Sequence, residues 1–72
     1  MADELIDARA MRCPWPALRL ARAVRGAQPG AAVRLVADDP KAPDEIAQLA
    51  RAQGWQLICE AQDGGWIFTV LR

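Results

Sequence analysis

Two prolines in the stretch Cys13-Pro14-Trp15-Pro16 restrict this chain more than any other feature. Proline lacks a backbone N–H and has a fixed φ, so it breaks the interior of a helix and is excluded from central strands. The first turn of a helix accepts it, because the N–H groups there have no intrahelical partner. The following residues 17–27, ALRLARAVRGA, are rich in Ala, Leu and Arg, which are strong helix formers. The proline pair therefore predicts a helix start, in one of two registers. Either Cys13 is the N-cap with Pro14 at the first helical position, or Trp15 is the N-cap with Pro16 there.

The rest of the chain is punctuated in the same way. Leu5 and Ile6 offer a short first strand, ended by Asp7. In the first helix, Leu18, Ala21 and Val24 fall near one face, widened by Ala17 and Leu20. A Gln-Pro-Gly turn at 28–30 closes it. Residues 32–37, AVRLVA, read as a strand with Val33, Leu35 and Ala37 on one face. Asp38-Asp39-Pro40 breaks it, and a second helix spans roughly 43–53, with Asp44 and Glu45 in its first turn and Ile46, Leu49 and Ala50 as its apolar stripe. Gly54 ends that helix. WQLICEAQ and WIFTVL are two strands joined by Asp-Gly-Gly, and Trp66, Phe68 and Val70 share one face of the last. The order is β-α-β-α-β-β. Helices between the first strands predict right-handed crossovers and a parallel pair, and the terminal hairpin adds an antiparallel one. Two helices cannot cover both faces of a four-stranded mixed sheet. The expectation is an α/β two-layer sandwich, of the α+β kind, with both helices on one face. The other face carries Ile58, Ile67 and Leu71, as incomplete burial or as a surface for a partner.

At 72 residues the chain is long enough for one domain, 1–72, with a modest core. No apolar run approaches the roughly 20 residues of a membrane span. The opening MADELIDARA has no basic and apolar targeting pattern. A soluble cytoplasmic protein is expected, with no membrane contact. There is no histidine, which removes Cys/His and Ser/His catalysis and the commonest metal ligand. The two cysteines, Cys13 and Cys59, make neither a zinc site nor a C-x-x-C pair, so no metal and no cofactor are expected. Zero formal net charge and the lack of an aromatic-basic platform argue against direct nucleic-acid binding.

The charge is unevenly spread. No acidic residue lies between Asp7 and Asp38, while Arg9, Arg12, Arg19, Arg22, Arg25 and Arg34 fall in that interval. A cysteine at a helix N-terminus with arginines nearby is expected to favour its thiolate, with Arg9 and Arg12 supporting it and the prolines limiting the effect by removing N–H donors. The alternative is a plain helix start with a small buried cysteine at its edge. Without a base, a metal or a second thiol, Cys13 is not a stand-alone enzyme site; a lone nucleophilic sulfur suits a carrier that accepts sulfur as a persulfide and hands it on.

These residues resemble the TusA/SirA-like sulfur carriers. The family signature is an Asp, a Gly-Leu pair, then C-P-x-P opening the first helix; here it is Asp7, Ala10-Met11 and Cys13-Pro14-Trp15-Pro16. The later Gln-Pro-Gly, the Ala-Asp-Asp-Pro at 37–40, Glu45-Ile46 and Gly54 also match. The resemblance implies the same β-α-β-α-β-β sandwich and a persulfide on Cys13. It implies a sulfurtransferase-type carrier that acts with partner enzymes. The donors are a cysteine desulfurase or a rhodanese-type sulfurtransferase. The acceptors are DsrE-like or other relay proteins, in tRNA thiolation, sulfur oxidation or molybdenum-cofactor maturation. The departure is Ala10-Met11: if the family glycine serves a turn with positive φ, Ala10 is strained there. A regulatory module that binds a protein partner without sulfur transfer is the competing reading.

The remaining candidates have bland alternatives. Arg19, Arg22 and Arg25 are a solvated face or a docking stripe for an acidic partner. Trp15 is a partner contact or a cover over the helix mouth. Asp38 and Asp39 read as turn and capping residues. Cys59, with no basic neighbours, reads as a buried structural cysteine.

Overall fold

The computed structural model describes residues 4–71. Strand β1 (Glu4–Asp7) leads to helix α1 (Trp15–Gly26), strand β2 (Ala32–Ala37), helix α2 (Ala42–Gln53), and the hairpin β3 (Gln56–Gln62) and β4 (Gly65–Leu71). The sheet order is β1-β2-β4-β3. β1 and β2 are parallel, with Ile6 opposite Leu35 and Asp7 opposite Val36. β4 lies between β2 and β3 and is antiparallel to both. The expected mixed sheet is present, with its last strand in the interior.

α1 begins between the two registers read from the sequence. Pro14 itself is the N-cap, Trp15 is the first helical residue, and Pro16 follows within the first turn. The Leu18 N–H donates to the Pro14 carbonyl at 3.1 Å, the first bond of the helix. Neither proline lacks a hydrogen bond that the helix needs. α2 begins at Lys41 as N-cap, with Pro43 in its first turn, and ends at Gly54, whose φ of 74° is the left-handed conformation glycine accepts at a helix end.

The helix-facing side of the sheet holds Ile6, Val33, Leu35, Ala37, Phe68 and Val70, which cluster with Ala17, Leu20, Val24, Ala42 and Ile46 from the helices. Leu35, Ile46, Leu20, Phe68 and Val70 are fully buried. Two expectations need correction. Leu18 is not on the buried face of α1 but 53% exposed, because Pro16, Ala17, Leu20, Ala21 and Val24 fill that face. Cys59 is exposed, not buried. It pairs with the buried Phe68, but β3 is the edge strand and all its residues except Leu57 are exposed. On the open face, Leu5, Ile58 and Leu71 are exposed.

Gly65 opens β4 where the chain passes the end of β2. A Cβ there would lie 2.4 Å from the Ala37 carbonyl oxygen and 3.0 Å from the Asp38 Cα. Both are backbone atoms, so a side chain at 65 must push β2 away from β4. Gly65→Ala is expected to lose about 1–3 kcal/mol of stability in urea unfolding, the usual cost of overpacking. An unchanged midpoint would contradict the contact.

Candidate functional site

The parallel pairing of β1 and β2 brings the loops that leave them to the same end of the sheet. The first loop turns at once. The Met11 N–H donates to the Ala8 carbonyl at 3.2 Å, and Ala10, third in this turn, has a φ of 70°. That position ordinarily belongs to glycine, and an alanine there costs about 1–2 kcal/mol. The strain expected of Ala10 is therefore present. The Asp38 carboxylate, at the exit of β2, takes the Ala10 N–H at 2.9 Å and helps hold the turn.

Asp39 continues the clamp. Its Oδ2 accepts the Cys13 N–H at 2.5 Å and its Oδ1 accepts the Lys41 N–H at 3.0 Å. These two bonds hold its carboxyl below the usual aspartate value. One side chain thus fixes both the residue that carries the thiol and the entry to α2. Asp38 and Asp39 were legible as turn residues, but each also reaches back to the first loop. The peptide bond between Cys13 and Pro14 is cis.

The Cys13 thiol points at α2. Its Sγ donates to Glu45 Oε2 at 2.7 Å. The hydrogen bond to Glu45, burial, and the charges of Glu45 and Asp39 push the thiol up from its ordinary value, against the pull of Lys41. This corrects the expectation of a thiolate favoured by a basic segment. Arg9 does not serve the sulfur. It pairs with Asp7 through Nε at 2.9 Å and Nη2 at 2.8 Å, and its side-chain and backbone hydrogen bonds lower Asp7 to about 2. Arg12 acts on Asp39. Counting charges along the chain missed the acids at 39 and 45, which the fold delivers to the thiol.

Cys13 is half-buried, with the charged groups of Glu45, Asp39 and Lys41 acting on its sulfur. Trp15 is 61% exposed and does not cover the helix mouth. Leu18 stands one turn further along α1, exposed like Trp15. Arg19 and Arg22 line a shallow groove with Ile6 and Ala23. Arg25 lines a different groove, with Leu49, Gln53 and Trp55. The three arginines follow one another at steps of three and climb obliquely around the exposed side of α1, about 120° from the first to the last. Among the described residues, no group of three His, Cys, Asp or Glu could hold a metal ion, and no helix is long and apolar enough to cross a membrane.

Fold and site together define a class: a small two-layer sandwich that presents one cysteine, in a C-P-x-P helix start, at the end of its parallel strand pair. A family model described as "Sulfurtransferase TusA" matches residues 4–72. The chain belongs to the TusA family. The crystal structure of a SirA-like protein from Desulfitobacterium hafniense superposes with a TM-score of 0.82 at 24% identity, covering 94% of this chain and 95% of that one. At that identity the likeness is one of fold.

The clamp has a pH signature. Asp39 titrates below the ordinary aspartate value of 3.8 in the folded protein. Its contribution to stability is therefore complete above that value and is lost as pH falls through the lowered one. Asp39→Asn is expected to melt at a lower temperature at pH 7 and to lose less stability than the wild type between neutral pH and pH 3. Thermal melts across that range check it; parallel wild-type and variant curves would contradict it.

Proposed function

We propose that this protein carries sulfane sulfur as a persulfide on Cys13 and passes it to an acceptor protein. The observation that supports this most directly is the backbone of Cys13 held by Asp39 at the start of α1, a helix whose first turns leave Trp15 and Leu18 exposed, in a member of the TusA family. In loading, the Cys13 sulfur attacks the outer sulfur of a donor cysteine persulfide. An S–S bond forms at Cys13 and the donor's S–S bond breaks. The electron pair goes to the donor sulfur, which takes up the proton that Cys13 gives up. Delivery is the same exchange with an acceptor thiol. Neither step needs an outside oxidant or reductant.

On this reading the protein is a sulfurtransferase-type carrier of one domain, 1–72, working in the cytoplasm with partner enzymes. Its donor is a cysteine desulfurase or a rhodanese-type sulfurtransferase. Its acceptor is a DsrE-like or other relay protein, in tRNA thiolation, sulfur oxidation or molybdenum-cofactor maturation. Partners dock over Trp15 and Leu18, with the arginines Arg19, Arg22 and Arg25 of the same helix meeting acidic groups.

Incubation with a cysteine desulfurase and cysteine, or with a thiosulfate-fed sulfurtransferase, is expected to add one sulfur atom to Cys13 by mass spectrometry. Cys13→Ser should add none. Reversing Arg19 and Arg22 should slow loading about tenfold or more at low salt, with folding intact. No adduct with either donor, or an equal adduct in Cys13→Ser, would remove the carrier reading and leave the regulatory one.

A further inference from the structure

Glu45 lies 32 residues from Cys13 in sequence, yet its carboxylate is 2.7 Å from the sulfur. A thiol can donate to a carboxylate. A thiolate cannot, and at this distance the two negative charges would repel. Asp39 adds to the same field from the loop before α2, and Lys41 is the cation that opposes it. Arg12 acts on Asp39 and is not among the groups that shift the sulfur. The sulfur is thus turned toward α2, while the surface of α1 beside it is open at Trp15 and Leu18.

We propose that Glu45 is a positioning residue that keeps the Cys13 thiol protonated in the free carrier, so that sulfur loading begins when a docked donor protein displaces this contact. The proposal rests on Cys13 being the sulfur-accepting thiol. Its consequence is selectivity. A small electrophile or a small persulfide brings nothing that competes with Glu45, so it meets a thiol in its unreactive form. A donor protein that covers the helix mouth brings charged and polar groups to the carboxylate. Once the contact is broken, the Cys13 proton leaves as the S–S bond forms and ends on the departing donor thiol, as in the exchange described above.

The test uses a Cys59→Ser background, because Cys59 is a second exposed thiol. The probe is iodoacetamide, and the readout is the rate of Cys13 alkylation across pH. Glu45→Gln keeps the shape and removes the charge. Its rate profile is expected to move to lower pH, with alkylation at pH 7 about threefold faster or more. Each tenfold gain in thiolate is partly offset by the lower nucleophilicity of a more acidic thiol, which leaves about a threefold net gain. Glu45→Ala, a second uncharged variant, should move the same way, and Glu45→Asp should lie closer to the parent. Circular dichroism confirms that the variants fold. A folded Glu45→Gln and a folded Glu45→Ala that both superimpose on the parent profile would overturn the proposal. The readout needs no sulfur donor, so the two claims fail separately. A shifted profile in a protein that takes up no sulfane sulfur would keep the contact and overturn the carrier reading. An unshifted profile in a protein that loads would overturn the role of Glu45 alone.

Discussion

The site depends on the parallel pairing of β1 with β2. Parallel strands end side by side, so the loop after Asp7 and the loop after Ala37 must share one edge of the sheet. The Ala8 N–H still donates to the Val36 carbonyl at 2.8 Å, one residue beyond the paired strands. Past that point the two aspartates take over: Asp38 holds Ala10 and Asp39 holds Cys13. The strained turn at Ala10, the thiol and the start of α2 are then set relative to one another by side chains from a single dipeptide. Gly65 belongs to the same arrangement, because its missing side chain lets β4 pass close to Ala37 and Asp38.

Such a clamp fits the carrier role proposed above. The residues around the sulfur fix its place and hold its proton. No histidine is present in the sequence to take that proton at neutral pH. The helix mouth leaves Trp15 and Leu18 exposed, and its prolines let the chain enter α1 without leaving any lost hydrogen bond behind. Under the proposed function, driving force and electrophile come from the partners, while the protein contributes position and restraint.

Much of this was legible in the residues. The order of elements, the inward faces of β2 and β4, and Cys13 in C-P-x-P all follow from period, turn chemistry and spacing. The exposure of Leu18 and Cys59 did not, since it depends on which positions the helices happen to cover. The electrostatics of Cys13 were misread for a related reason. Arg9 and Arg12 are its neighbours along the chain, but Arg9 is bound to Asp7, and the charge of Arg12 is felt at Asp39. The groups that decide its state, Asp39 and Glu45, arrive through the crossover. A usable signal did exist. Two strands predicted to be parallel place the loops after them together, and that alone would have put Asp38-Asp39 and the first turn of α2 against the cysteine.

The central claim is that sulfur leaves this protein for another as well as arriving. It is tested most directly by isolating the protein loaded with labelled sulfane sulfur, free of its donor, and mixing it with a DsrE-like acceptor in a single turnover. The account predicts that label moves from Cys13 to an acceptor cysteine without added reductant, one sulfur per carrier. Label that stays on Cys13, or that leaves only when a reductant releases it as sulfide, would contradict it.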